Sequence, residues 1–99
     1  MKVVMHMKWD GVTPDQYDQL RKLVNWETDA PQGAVFHVAS FDKSGIRVVD
    51  VWESGEQFNQ FVQSRLMPGT AQVGIQGAPQ VDILPAHAIY VPDAGKLVL

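Results

Sequence analysis

The stretch that most constrains the fold is a pair of short apolar runs joined by a turn, "AVFHVASFDKSGIRVVDVWE", residues 34–53. Both runs are rich in the β-branched and aromatic residues that strands favour, and "DKSG" between them carries turn-forming types. The stretch therefore predicts a β-hairpin with strands at 34–42 and 45–53. A helix-like segment lies on either side of it, so the chain has to place helices on a sheet.

The register of this hairpin decides whether its polar residues His37 and Asp50 meet. A two- or four-residue loop places them opposite each other, whereas a three-residue loop with a bulge at Gly45 places His37 opposite Val51. The second arrangement buries each polar residue among valines without a partner, at a cost of about 1–3 kcal/mol. The first collects an apolar face that we expect to be core, namely Phe36, Val38, Val49 and Val51. We therefore expect His37 to face Asp50.

Each flanking helix carries a start signal. Thr13 is the expected N-cap of the first helix, with Pro14 at the first helical position and Gln16 placed to complete a capping box. Ser54 is the expected N-cap of the second, again with a glutamine three residues later. Apolar residues recur at helical spacing in both. Pro68 is expected to break the second helix or open a short turn, and the Gly-rich residues 69–80 are expected to form a loop.

Two further strands are expected at residues 2–8 and 81–91, and Pro85 places the last one at a sheet edge because proline cannot donate to the ladder. The order βαββαβ predicts an α+β, ferredoxin-like fold, in which a four-stranded antiparallel sheet carries two helices on one face. The other face is bare, and the same face of a second copy would cover it. We expect residues 1–99 to form one domain of a homodimer, with the apolar tail at 92–99 contacting the partner subunit.

The expected register also defines a candidate site on the hairpin. His37, Asp50 and Trp52 share a face, and the alternation in strand one adds His6 to that face while leaving Met5 to the core. Asp50 would accept a hydrogen bond from one imidazole nitrogen and leave the other free to take a proton, so we predict that His37 and Asp50 are catalytic. Trp52 and His6 are predicted to bind substrate.

Two residues of the fourth strand, His87 and Tyr90, are added as weaker candidates for substrate binding. Structural explanations stay open for the whole set, because a cross-strand histidine–aspartate pair also serves as an interface contact and a tryptophan often serves packing alone. The sequence does not say which sheet face the helices cover.

Composition and spacing exclude several kinds of partner. The eight basic and eleven acidic residues are scattered and give a net charge of -3, so we expect no nucleic acid partner. No cysteine is present, which excludes disulfides and thiolate chemistry. No apolar run is long enough for a membrane span, so we expect a cytoplasmic protein without a membrane partner. The histidines and Asp50 lie on separate strands without local ligand spacing, so no metal is expected.

Two stretches carry a family resemblance: "VVDVWES" at 48–54, a strand that ends in Trp-acid-Ser, and the Phe-rich helix "EQFNQFVQSRLMP" that follows it. With the βαββαβ order at this length, the chain resembles the dimeric α/β barrel superfamily, above all its small antibiotic biosynthesis monooxygenase-like proteins. The resemblance implies a homodimer with an apolar pocket in each subunit that takes a small aromatic or polyketide-type molecule.

Members of that superfamily differ in their reactions. Some oxygenate such molecules without metal or flavin, some degrade haem, and others catalyse cyclisation or isomerisation by proton transfer. The haem-degrading branch combines an asparagine, a tryptophan and a histidine, and the absence of an asparagine from strand one argues against it, since Asn25 and Asn59 fall on helices.

The expected function is a small monooxygenase-like enzyme, independent of any cofactor, that acts on an aromatic or polyketide-type molecule by His37-assisted proton abstraction. One alternative is a non-catalytic dimeric module that binds a small apolar ligand or a protein partner. A further alternative is a cyclase or isomerase that uses the same His37–Asp50 pair.

Overall fold

The computed structural model describes all 99 residues and confirms the ferredoxin-like fold. The sheet is antiparallel throughout, with the strand order β2-β3-β1-β4. The elements are β1 (Val3–Asp10), α1 (Pro14–Val24), β2 (Ala34–Phe41), β3 (Gly45–Trp52), α2 (Gly55–Phe61), a π-helical turn (Val62–Leu66), α3 (Met67–Val73) and β4 (Gln80–Pro85).

Both helix starts form as the sequence predicts. The Thr13 hydroxyl accepts from the Gln16 amide at 3.2 Å, and the Gln16 side chain accepts from the Thr13 amide at 3.1 Å, which closes the capping box. The Ser54 hydroxyl likewise accepts from the Gln57 amide at 3.2 Å. These bonds satisfy amide groups that a helix leaves unpaired at its first turn, so the helix starts are set locally.

The second helical segment is longer than expected, and the prediction of a loop over residues 69–80 is wrong for residues 69–73. Pro68 has no amide hydrogen to donate, but the preceding π-helical turn widens the helix and Met67 donates to the Val62 carbonyl five residues back. The helix then continues as α3 until Gly74, whose φ of 85° lies in the left-handed region that ends helices.

The fourth strand is confirmed as an edge strand, but it ends at Pro85 rather than at residue 91. The ladder with β1 stops where Pro85 is paired with Val3, and Ala86 makes one further bond by donating to the Lys2 carbonyl at 3.0 Å. Because residues 86–91 form no strand, His87 and Tyr90 lie beyond the sheet instead of on it.

The core lies between the sheet and the helices, on the sheet face that also holds Asp50. Its members are large apolar side chains: Met5, Trp9, Ile46, Val48 and Trp52 from the sheet, and Val12, Leu20, Phe58, Phe61 and Leu66 from the helical side. The helices thus cover the face that offers the most aromatic area for burial.

The apolar set that we expected to be core lies on the other face of the sheet. Phe36 is 40% exposed and Val38 is 47% exposed, so the prediction that these two residues are core is wrong for the single chain, whereas Val51 is buried at 8% exposure. We call this surface the open face: it consists of the side chains of Val4, Phe36, Val38, Val49, Val51 and Leu84, with the polar residues His6, Lys8, Arg47 and Asp82 beside them.

The helices are short, and none combines the length and the apolar character that crossing a bilayer requires.

Candidate functional site

The hairpin adopts the register that pairs His37 with Asp50, as predicted. The turn is held by Asp42, whose amide donates to the Gly45 carbonyl at 3.0 Å and whose carboxylate accepts from the Ser44 amide at 2.8 Å. Bonds from the Ser44 hydroxyl, the Ser44 amide and Arg47 hold the pKa of Asp42 well below its usual range. A turn anchored in this way sets the register of both strands.

The paired residues form part of a chain of four hydrogen-bonded side chains, which we call the relay. Asp50 contacts His37 Nδ1 through Oδ1 at 2.6 Å and accepts from Trp52 Nε1 through Oδ2 at 3.0 Å. His37 Nε2 lies 2.7 Å from the hydroxyl of Tyr17. An ionised Asp50 only accepts, so Nδ1 carries the imidazole hydrogen and Nε2 accepts from Tyr17; this tautomer follows from the bonding pattern.

Tyr17 is the member of the relay that the sequence does not reveal. Its position on α1 predicts only an apolar stripe residue, yet it occupies the imidazole nitrogen that we expected to be free. Burial, and secondly the negative charge of Glu27, raise the pKa of Tyr17 to about 12. Its hydroxyl therefore stays protonated at neutral pH and can donate to His37.

The relay borders a cavity of about 250 Å³ between the sheet, α1, the π-helical turn and the loop that leads into β2. Tyr17, His37 and Asp50 bring the polar groups of its wall. The other lining residues are apolar: Met5, Met7, Trp9, Val12, Leu20, Trp26, Ala30, Pro31, Ala34, Val35, Phe36, Ile46, Val48, Trp52, Phe58, Phe61, Leu66 and Ile75. A small number of convergent polar groups in an apolar cavity is typical of ligand sites.

Aromatic rings surround the imidazole of His37. The ring of Trp26 lies 5.4 Å from it between centroids, nearly edge-on, and the ring of Tyr17 lies 6.1 Å away and almost parallel. Trp26 also meets Phe61 edge-on at 6.5 Å. These rings form flat walls that suit a planar aromatic ligand.

The loop that carries Trp26 is held by an arginine of the π-helical turn. Arg65 donates to the carbonyls of Val24 and Asp29, each at 2.8 Å, and its guanidinium lies 5.6 Å from the centre of the Phe61 ring. Since Val24 ends α1 and Asp29 lies in the loop, Arg65 fixes the side of the cavity that Trp26 forms.

Of the predicted site residues, His37, Asp50 and Trp52 are brought together and His6 is not. The expectation that His6 shares a face with His37 is wrong, because Met5 is the residue of β1 that pairs with Asp50. His6 pairs with Val49 and Asp82, so its side chain lies on the open face. Met5, expected to lie on the opposite face from His37, instead lines the cavity beside it.

His87 and Tyr90 are also kept apart from the relay within one chain. Both are exposed, Tyr90 to 88%, and neither lines the cavity. No group of three or more histidine and acidic side chains is placed to hold a metal ion. Trp9, beyond the expected end of strand one, is a lining residue that the sequence pattern does not reveal, and its Nε1 donates to the Gln76 carbonyl at 2.9 Å.

Comparison with known proteins confirms the resemblance at the level of the fold. No family model matches the chain, and no curated protein sequence matches it. Among solved structures, a protein of unknown function from Nitrosomonas europaea is similar with a TM-score of 0.68 and 15% identity, over 94% of this chain and 96% of the other.

Two further solved structures share the fold. SnoaB from Streptomyces nogalater, a cofactor-independent oxygenase, is similar with a TM-score of 0.58 and 14% identity, over 93% of this chain and 96% of SnoaB. A dimeric ferredoxin-like protein of unknown function from Thermobifida fusca is similar with a TM-score of 0.57 and 15% identity, over 86% and 92% of the two chains. At such identities the likeness concerns the fold alone.

Proposed function

We propose that this protein is a cofactor-independent, monooxygenase-like enzyme that removes a proton from a small aromatic or polyketide-type molecule. The observation that carries the proposal is the position of the relay: a buried aspartate orients a histidine whose second nitrogen faces a cavity walled by aromatic rings. The fold of the oxygenase SnoaB supports the class of reaction.

His37 is the proposed general base. Asp50 fixes its tautomer and stabilises the imidazolium that forms when Nε2 takes a proton, which is the role of a carboxylate beside a catalytic histidine. Trp52, by donating to the second oxygen of Asp50, holds the carboxylate in line with the imidazole. Because a single carboxylate accepts both bonds, the geometry of the base is set before any ligand enters.

Tyr17 is the proposed partner of the substrate oxygen. Its hydroxyl bonds to His37 Nε2, and a substrate that approaches the base has to take over this contact. The protonated Tyr17 can then donate to the carbonyl or hydroxyl oxygen of the substrate, on which negative charge develops as the carbon loses its proton. Three residues thus have distinct proposed roles: Asp50 orients His37, His37 takes the proton, and Tyr17 stabilises the substrate anion.

The oxygenation step follows from the carbanion. For a methylene group between two aromatic rings, the carbanion gives its electrons to dioxygen and forms a carbon–oxygen bond. One oxygen atom stays on the carbon as a carbonyl, and the other leaves as water with the two hydrogens of the methylene group. The residues of this chain take part through the proton held at His37 and the hydrogen bond from Tyr17.

We also propose that the working form is a homodimer. The open face leaves Phe36, Val38 and Leu84 each 40% or more exposed, which is a large apolar surface for so small a chain. The tail at 92–99 adds exposed Leu97, Val98 and Leu99. A second copy packed on the open face would bury such residues, and we propose that the tail joins the contact.

The test is oxygen uptake with anthrone, a neutral three-ring ketone whose methylene group has the required acidity. The wild type should consume oxygen faster than buffer, His37→Ala and Asp50→Asn should lose most of this rate, and Gln19→Ala on the exposed side of α1 should keep it. Equal rates for wild type and His37→Ala would overturn the proposal.

A second candidate function is a non-catalytic module that binds a small apolar ligand. It is favoured by one observation, that the Tyr17 hydroxyl bonds to His37 Nε2, so the four side chains of the relay satisfy one another. Calorimetric titration with anthrone and deuterium exchange of its methylene group, measured beside oxygen uptake, separate the two: binding without any enzyme-dependent oxygen uptake or proton exchange would favour the module. Proton exchange without oxygen uptake would favour the cyclase or isomerase.

A further inference from the structure

The wall of the cavity has a charge pattern that selects among ligands. Its polar groups are Tyr17, His37 and Asp50, and no lysine or arginine lines it. The carboxylate of Asp50 is buried, with 9% of its side chain exposed, and lies beside the space that a ligand would fill. The cavity therefore contains an acidic group and no basic side chain that is permanently charged.

The arginines of the helical side of the molecule are held elsewhere. Arg21 is bonded to Glu27 at 2.7 Å and to Asp18 at 3.1 Å, and Arg65 is bonded to the carbonyls of Val24 and Asp29. Neither lines the cavity. An anionic ligand would thus lose its hydration without gaining a cationic partner, which is unfavourable in an apolar site.

The pKa of the Tyr17 hydroxyl indicates whether the surroundings of His37 favour or disfavour a negatively charged oxygen. Burial first, and then the charge of Glu27, raise its pKa to about 12; the charge of Arg21 acts in the opposite direction without cancelling them, and the charge of Asp50 adds a smaller increase. A phenolate at this position is disfavoured relative to water. A ligand oxygen that replaces Tyr17 at His37 meets the same surroundings.

We infer that the cavity accepts uncharged aromatic molecules with one hydroxyl or carbonyl oxygen and rejects aromatic carboxylates and phosphates. The inference rests on the proposed function, since it names the substrate class of the same site. It also agrees with the proposed chemistry: a neutral substrate that gives its proton to His37 leaves the total charge of the site unchanged, and its anion forms beside an imidazolium. A ligand that enters the cavity as an anion, in contrast, adds a net negative charge to the site.

The test compares two ligands of one shape and different charge, 2-naphthamide and 2-naphthoate, by calorimetric titration of the wild type at one neutral pH. The amide should bind at least about tenfold more tightly than the carboxylate. Equal affinities, a preference for the carboxylate, or no binding of either would each contradict the inference.

A variant that adds a cation at the rim sharpens the test. Ala30 is exposed and lines the cavity from a loop. Ala30→Lys should therefore improve the binding of 2-naphthoate and reduce the ratio of the affinities for the amide and the carboxylate severalfold. Gln72→Lys places the same charge on an exposed site of α3 away from the wall and should leave the difference unchanged. A folded Ala30→Lys protein with the wild-type preference would argue against charge as the cause.

The outcomes keep this inference separate from the proposed function. If the amide binds selectively and no oxygen uptake or proton exchange depends on His37, the function fails and the selectivity stands. If uptake depends on His37 and the two ligands bind equally, the selectivity fails and the function stands.

Discussion

The two faces of the sheet differ in what covers them and in the residues they carry. The face under the helices is crowded with large apolar side chains, yet it keeps a charged aspartate at its centre. The open face has no cover in the single chain, yet it carries exposed Phe36, Val38 and Leu84. The covered face thus holds a polar residue among apolar ones, and the open face holds apolar residues exposed to solvent. Such departures from simple packing are where function is expected, on the first face as a ligand site and on the second as a contact with another copy.

The buried aspartate is tolerated because each of its two carboxylate oxygens is hydrogen-bonded, one to His37 and the other to Trp52. No buried side-chain nitrogen or oxygen lacks a hydrogen-bond partner. An apolar pair at 37 and 50 would nevertheless pack without any such requirement, and replacing a buried polar pair by apolar residues is often neutral or stabilising. Stability alone therefore does not account for His37 and Asp50, which is the physical reason to assign them a chemical role.

The largest expected effect concerns catalysis on the covered face. His37→Ala should lower the rate of oxygen uptake with anthrone by about 100-fold or more, the range for loss of a general base. His87→Ala, which removes an exposed imidazole outside the cavity, should leave the rate unchanged. A comparable loss in His87→Ala would instead support the binding role that the sequence predicts for that residue.

The next effect concerns stability on the same face. Asp50→Ala removes the acceptor of both His37 Nδ1 and Trp52 Nε1 and should lower the free energy of unfolding by about 2 kcal/mol, measured by urea denaturation. Gln19→Ala on the exposed side of α1 should change it by less than about 0.5 kcal/mol, because its side chain is exposed and lies away from the open face. Similar losses in the two variants would mean that the hydrogen bonds of Asp50 do not stabilise the fold.

A charge placed on the open face tests its proposed role as a contact. Val38→Glu should shift the protein from dimer to monomer in analytical ultracentrifugation, because it buries a carboxylate between the two copies. Lys22→Glu on the exposed side of α1 is the matched control and should leave the assembly intact. A wild type that sediments as a monomer at all concentrations would contradict the proposed dimer.

The smallest expected effect is on the titration of Tyr17. Its folded-state pKa is raised from 10.0 to about 12, so its contribution to stability is complete below pH 10 and is lost as the pH rises toward 12. Tyr17→Phe removes the titrating hydroxyl and with it this loss of stability. Its melting temperature should therefore fall less between pH 10 and pH 12 than that of the wild type. Tyr90→Phe should behave as wild type does, and a Tyr17→Phe protein that falls just as steeply would contradict the assigned pKa.

What the sequence predicted well depends on neighbours along the chain. The capping box at Thr13, the cap at Ser54 and the pairing of His37 with Asp50 all follow from patterns within a few residues or across one turn. The order of elements, and hence the fold, follows from them.

What the sequence did not predict depends on contacts between distant segments. The register sorts residues into two faces but does not say which face the helices cover, and Phe36 and Val38 look as much like core as Ile46 and Val48 do. Tyr17 reaches His37 across 20 positions of the chain, and a helix position alone carries no sign of that contact. The helix passes Pro68 because a π-helical turn precedes it, a backbone adjustment that residue types do not announce.

Hydrogen–deuterium exchange measures directly the proposed step in which the relay removes a proton from a carbon acid in the cavity. Anthrone in D₂O without oxygen exchanges its methylene hydrogens at a rate that proton NMR follows. We expect wild type to accelerate this exchange and His37→Ala to do so about 100-fold less, whether or not oxygenation follows. Exchange at the same rate with wild type, His37→Ala and buffer would contradict the proposed step.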